Sequence, residues 1–460
     1  MSPHRERVAA ALADGFRFGG LHATSDGAWV RTLLVAPDGS ARLESVPVRD
    51  GRAPTIVDLA PAAGWDEREA HDLQGVRFDG HEPLRPLALH DLRLERWTVP
   101  VRGRDPYQVA VGPIHAGVIE SGHFRFHVVG DRILHLDARL FYKHRGLERA
   151  AEGRTLEQGL AYASRACGAC TVANGLAYAQ ACEEALGLEP TRGLARARTL
   201  LLELERAWSH LNDVAAICAG VGLAAGTARF LALTERARRL NARLAGHRFL
   251  FGSVRVGGSA LEVDGRTARA AREELAAVRA ESRRAWRELL FNASFQERLP
   301  EVGAVPAADA ARLGATGPAA RAAGLAEDVR SASPRLAYDG FEPAVPERAA
   351  GDVQARLEQR GLELEQTFAL LDGLLDGALA PAAAERAAPE RAVGVGRVES
   401  ARGATSCVVE RSGDVLRRLR LRTGSYANWP VVARAAAGGL LPDFPLVNKS
   451  FELCYACADR

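Results

Sequence analysis

Over the first hundred positions, short apolar runs alternate with polar residues. In "GAWVRTLLVAPDGSARLESVPV" the "PDGS" between two such runs marks a hairpin. These positions predict a small α+β domain over 1–98. Its last part, "GWDEREAHDLQGVRFDGHEPLRPLALH", is polar and bears Gly and Pro, which suits extended structure and contact better than a core. A strand-rich section follows from Tyr107 to Leu140. From about Leu156 to Leu290 the period changes, and "RTLLLELERAWSHLNDVAAICAGVGL" and "RLNARLAGHRFLFGSV" carry apolar residues at helical spacing. Two Ala-rich segments, near 304–325 and 376–392, fit weak helices or exposed loops. Alternation returns in "VGRVESARGATSCVVERSGDVLRRLRLRTGSYANW", where "SGD" predicts a hairpin turn.

Composition narrows this picture little. The chain has 460 residues, 47% of them apolar and 25% charged, enough for about two to four domains. A net charge of +3 is too small to argue for nucleic acid as a partner. Bases and acids are also interleaved, as in "RAAREELAAVRAESRRAWREL", which reads as a solvated helix face. The opening "MSPHRERVAAALADGF" lacks the apolar core of a secretory signal. The most apolar stretch, from Val214, is broken by Gly, Thr and Arg and falls short of about 18 consecutive apolar residues. A buried helix pair is expected there, in a soluble chain able to dock on a membrane complex.

The cysteines change the picture most. There are seven, an odd number that argues for reduced cytoplasmic thiols rather than a disulfide framework. Cys182, Cys218 and Cys407 stand in apolar surroundings and read as buried, inert thiols. Cys167 with Cys170, and Cys454 with Cys457, form two C-x-x-C pairs. Soft thiolates select zinc, copper(I), nickel or iron–sulfur chemistry, and two pairs complete a four-sulfur set. Compact zinc ribbons keep their pairs about 15–20 residues apart, whereas these lie in opposite halves of the chain. Spacing alone leaves a structural zinc, a redox metal site and a dithiol switch open.

The residues around the pairs, "SRACGACTVANGLAYAQACEEALG" and "FELCYACADR", resemble the cysteine motifs of nickel–iron hydrogenase large subunits. The resemblance is to the membrane-bound, formate-hydrogenlyase type, akin to the quinone-site subunit of respiratory complex I. "GPIHAGVIESGHFRF", "LFYKHRGLE", "ELERAWSHLNDV", "RFLFGSVRVGG", "TGPAARAAGLAEDVR", "VESARGA" and "NWPVVARA" follow in the family's order. "WDEREAHDLQGVRFDGHEPLR" resembles the complex I subunit often fused ahead of such hydrogenases. The resemblance implies an α+β fold: a complex I 30-kilodalton-like domain at 1–98, then a mainly helical large-subunit-like domain at 99–460 with peripheral hairpins. It further implies that Cys167 and Cys454 are terminal nickel ligands, and that Cys170 and Cys457 bridge nickel to an iron bearing cyanide and carbon monoxide. Arg402 would overhang the metals, and Glu120 would carry protons away. Glu148 would lie near the chain terminus, where magnesium is a candidate cation. His115, His123 and His144 read individually as hydrogen-bonded structural histidines.

Family members carry His or Arg three residues after the last cysteine, followed by a peptide removed after metal insertion. This sequence stops there, so either it is the mature form or the gene dispenses with the peptide, and the carboxylate of Arg460 would complete outer hydrogen bonding. Three positions depart from the family pattern. Asn174 stands where His is usual and can donate a hydrogen bond but cannot relay a proton. Glu452-Leu453 replaces Asp-Pro, keeping a candidate catalytic carboxylate on a longer arm, and Ala401 replaces Pro before Arg402. Such outer changes commonly weaken metal sites by about 10–100-fold.

The implied reaction interconverts H₂ with two protons and two electrons. A terminal thiolate or Arg402 takes the first proton, and Glu120 passes it on. Implied partners are an iron–sulfur small subunit and membrane antiporter-like subunits, with a quinone or a formate dehydrogenase module as further candidates. The implied location is the inner face of the cell membrane. The alternative is a quinone-contacting or scaffold subunit of a complex like NADH dehydrogenase, with a structural or vestigial metal.

Overall fold

The alternation in the first fifty residues folds as three antiparallel strands, Arg17–Ala23 (β1), Trp29–Val35 (β2) and Ala41–Pro47 (β3), with β2 central. This is seen in a computed structural model that describes residues 2–90, 93–103, 105–115 and 119–460. The "PDGS" turn closes with Ala36 N–H donating to Ser40 O at 2.9 Å. Helices Pro3–Ala13 (α1) and Gly64–Gln74 (α2) join this sheet around Val8, Leu21, Val30, Leu34, Ile56, Ala70 and Phe78. The segment expected to be extended, 64–90, is therefore helical in its first part. Asp66, Glu67 and Glu69 on α2 are buried: Glu67 bonds nearby Thr55, Ile56 and His81, while the partners of Asp66 and Glu69 are arginines far along the chain.

Tyr107–Val111 (β4), His123–Val129 (β5) and Arg132–Arg139 (β6) form a second antiparallel sheet with β5 in the middle. Residues 116–118 of the "GPIHAGV" stretch lie outside the described residues. Helical periodicity then takes over as expected, with Leu156–Ser164 (α3), Thr171–Leu186 (α4), Arg192–Val221 (α5), Ala224–Ala245 (α6) and Gly265–Leu290 (α7). At 30 residues α5 is about 45 Å long. Gly222 ends it at φ +85°, a left-handed position that turns the chain back into α6. Val353–Leu374 (α8) packs against the other side of α5. Among the described residues no helix is long and apolar enough to cross a membrane.

The first Ala-rich segment forms two short helices, Ala307–Arg312 and Gly317–Ala322. The second contains a strand, Ala382–Arg386, an outcome composition did not suggest. It forms because Leu188–Pro190 and Gly258–Ser259 offer strand edges on either side.

Past it, Val393–Ser400 (β7), Gly403–Ser412 (β8) and Val415–Arg422 (β9) form a third antiparallel sheet. The predicted hairpin is its β8–β9 half. Sheet and α4 approach at backbone distance: a Cβ on Gly394 or Gly396 would lie 2.0 or 1.9 Å from the carbonyl oxygens of Ala181 and Ala177. Only glycine allows that contact. Gly424–Ala436 (α9), Phe444–Phe451 (α10) and Tyr455–Asp459 (α11) complete an α+β fold whose main core is helical.

Candidate metal centre

Cys167 precedes a tight turn, Gly168–Cys170, that leads into the amino terminus of α4. Glu205, on α5, accepts hydrogen bonds there from Val172 N–H at 2.6 Å and Ala173 N–H at 3.0 Å. It thus caps from outside two donors that the helix leaves free. Burial pushes the Glu205 pKa up to about 8 against the pull of those donors. The second pair rides on α11, a helix of only five residues. It is held from α9: Cys454 N–H donates to Ser425 Oγ at 3.0 Å, and Thr423 Oγ1 donates to the Cys457 carbonyl at 3.1 Å.

These supports bring the four sulfurs of Cys167, Cys170, Cys454 and Cys457 within 4.8 Å of one another. Cys170 and Cys454 are 3.8 Å apart, near the spacing of two sulfurs on one tetrahedral ion. Hydrogen bonding from Cys167 and the other two thiols, with the charge of Arg402, holds the Cys454 pKa well below the usual thiol range. Cys182, Cys218 and Cys407 lie elsewhere in the core, fully buried. A four-thiolate set of this size fits a soft metal ion.

Arg402 lies in the β7–β8 turn, 4% exposed, with Cys454, Cys170 and Glu452 in its electrostatic field. Its Nη1 donates to Asp213 Oδ2 at 2.7 Å, while its buried Nε has no hydrogen-bond partner. Asp213 also receives Arg360 Nε at 3.0 Å and lies 3.2 Å from His210 Nδ1. The other ring nitrogen of His210 is 2.9 Å from Glu363 Oε2. Glu363 in turn takes Arg321, which reaches Glu399 at 3.0 Å. This buried charge chain was not anticipated. Its signal was present in the quoted helix: Glu203, Arg206, His210 and Asp213 recur at helical spacing and share one face of α5.

The remaining expected residues surround the sulfurs. Glu452 adopts a left-handed conformation at φ +48°, and burial, then Asp213, pushes its pKa up to about 7. Asn174 Nδ2 points at Cys457 Sγ from 3.8 Å, and its buried Oδ1 is unpartnered. Glu120 accepts from Ala456 N–H at 2.8 Å, and its desolvated surroundings raise its pKa. His115 and His123 bond the carbonyls of Gly122 and Gly112, and His144 bonds that of Asp459, as structural histidines do.

The backbone oxygen of Arg460 takes the N–H of Arg145 at 3.0 Å, and the buried Arg460 side chain also serves the site's surroundings. One expectation needs correction. Glu148 accepts from Leu421 N–H at 2.9 Å and faces guanidinium groups of Arg418, Arg420 and Arg460 at 3.5–3.7 Å. Magnesium needs near-octahedral oxygen ligands; this cationic setting does not fit it.

Residues 221–386 match the family model for the respiratory-chain NADH dehydrogenase 49 Kd subunit, and residues 30–108 match that for the 30 Kd subunit. Formate hydrogenlyase subunit 5 of Escherichia coli is 29% identical over 438 residues, covering 88% of this chain and 77% of that protein. The chain is a homologue of membrane-bound hydrogenase large subunits and complex I-type subunits. Membrane-bound hydrogenase subunit alpha of Pyrococcus furiosus is similar too, 28% identical over 77% of this chain and 87% of that one. A chain of the membrane-bound sulfane sulfur reductase, an archaeal respiratory membrane complex, superposes with a TM-score of 0.71 at 26% identity, covering 77% of this chain and 99% of that one. The lineage consists of oxidoreductase subunits that work within membrane complexes.

Proposed function

We propose that this chain is the catalytic large subunit of a membrane-associated nickel–iron hydrogenase, with a first domain ending near residue 98. The carrying observation is the convergence of Cys167, Cys170, Cys454 and Cys457 within 4.8 Å beside the buried Arg402. Cys167, Cys170, Cys454 and Cys457 would hold a nickel–iron pair with iron-bound cyanide and carbon monoxide, which would supply two-electron chemistry on H₂. Arg402, anchored by Asp213, holds a fixed cation over the sulfurs and stabilises negative charge developing there. A terminal thiolate or Arg402 would take the first proton, and Glu120, with its raised pKa, would pass it towards solvent. Glu452 offers a second acceptor near neutrality.

Two electrons leave for each H₂ oxidised through an iron–sulfur small subunit, membrane antiporter-like subunits couple that flow to ion movement, and this chain lies on the inner face of the cell membrane. A quinone or a formate dehydrogenase module is the further partner. The second reading, a quinone-contacting or scaffold subunit, draws support from both family matches being to complex I subunits. Assays on the purified assembly separate these readings. H₂ uptake or evolution with nickel and iron present supports the first, and zinc alone with neither gas activity supports the second. Sulfane sulfur reduction without H₂ activity would replace both.

A further inference from the structure

Glu69 stands on α2, within the first hundred residues, yet it is 3% exposed and bonds to the other end of the chain. Both its carboxylate oxygens accept from Arg460 Nη2 at 2.6 Å, and Oε1 also accepts from Arg420 Nη1 at 2.6 Å. The Arg460 guanidinium lies 4.7 Å from the Tyr426 ring centroid, donates to the Leu421 carbonyl and sits 3.5 Å from Glu148. Arg460 is three residues past Cys457, at the close of α11. Asp459 is fixed in parallel, accepting from Phe141 N–H at 2.7 Å and Lys143 N–H at 2.9 Å.

A five-residue helix has little stability of its own, so the direction of Cys457 depends on what grips the residues after it. The grip at Arg460 is a charge-assisted contact in a dry seam, with Nη2 shared between both Glu69 oxygens and Nη1 held on the Leu421 carbonyl. The seam is already paired: Arg418, Arg420, Arg422 and Arg460 meet Asp66, Glu69, Glu148 and Glu152. Each of these carboxylates already has a guanidinium partner, which leaves a divalent ion no free set of oxygens.

We infer that Glu69 is a positioning residue for the four-sulfur centre, clamping Arg460 so that a carboxylate from the first domain and a guanidinium do there what a hard cation would otherwise do. The inference requires that the four sulfurs bind a soft metal; it does not require nickel and iron.

Cobalt(II) binding to the full-length apo chain tests it, read from the thiolate-to-cobalt charge-transfer band and the ligand-field bands of tetrahedral cobalt. Outer partners of metal ligands are commonly worth about 10–100-fold in affinity. Glu69→Gln should weaken cobalt binding by about that factor and alter the ligand-field bands. Arg460→Gln should do the same, and the double variant should lose no more than either alone. Glu67→Gln serves as the control: on the same helix, Glu67 bonds Thr55, Ile56 and His81 among the described residues, and its loss should leave the cobalt spectrum unchanged. Wild-type affinity and spectrum in folded Glu69→Gln and Arg460→Gln variants would overturn the inference. So would equal losses in Glu67→Gln, or a cobalt spectrum in the wild type that changes on adding or chelating magnesium. A wild-type chain with no thiolate-to-cobalt band would overturn the metal site itself, a different failure from unaffected variants.

Discussion

Two buried walls of charge flank the sulfurs, and they are built differently. In the seam between α2 and β9, arginines and carboxylates are matched in pairs. There Arg420 and Arg460 overcome burial and hold the carboxyls of Glu69 and Glu148 below the usual range. In the inner wall along α5 and α8, some acids are strongly paired, and the Glu363 carboxyl is held well below its usual range despite burial, chiefly by Arg321. Others are not: burial lifts Glu452 and Glu399 to about 7 and Glu205 to about 8. A wall of fully ionised pairs fixes geometry. A wall with carboxyls poised near neutrality can also exchange protons beside a redox site. The seam holds the second cysteine pair in place, and the inner wall faces the chemistry.

The largest effect should come from breaking the seam. Arg420→Ala removes a partner from both Glu69 and Asp66 in a dry setting. The expected cost is about 3–5 kcal/mol, as for other broken buried pairs, measured by chemical denaturation. Next comes the inner wall's cation. Arg402→Ala should lower H₂ turnover by about 10²–10³-fold with metal content kept, and Arg402→Lys should recover part of the loss. A drop in stability with turnover intact would instead make Arg402 a seam-like residue.

The smallest effect is one of pH. Glu399 has a folded pKa of about 7, above its unfolded value, so folding takes up a proton. Its contribution is full below about pH 4.3 and is lost as pH rises through 7, a span of about 3–4 kcal/mol. Glu399→Gln should flatten that part of the stability profile. The residue lines a cavity of about 460 Å³ with Glu327, Asp328 and Arg397, which gives the inner wall an outlet for that proton.

What the sequence revealed follows the same division. Cys167, Cys170, Cys454 and Cys457 were legible because a C-x-x-C pair is local and chemically specific, and Arg402 and Asn174 because they sit in quoted motifs. The helices over 156–290 were legible because the apolar period is itself local. The seam was not. Asp66, Glu67 and Glu69 read as a polar contact surface because Arg420 and Arg422, which pair with Asp66 and Glu69, come about 350 positions later and look like exposed strand arginines. His210 and Asp213 lay in a quoted motif, but nothing local says that Arg360 and Glu363 will meet them. The strand at Ala382–Arg386 escaped notice for the same reason: its sequence is neutral, and its partners decide it.

The account stands or falls on what the four cysteines hold. The direct measurement is infrared spectroscopy of the purified assembly, with nickel and iron quantified on the same sample. Bands from iron-bound cyanide and carbon monoxide, with the two metals in equal amounts, are the predicted result. A spectrum without them, from a sample in which the cysteines bind zinc or no metal, would contradict the hydrogenase assignment.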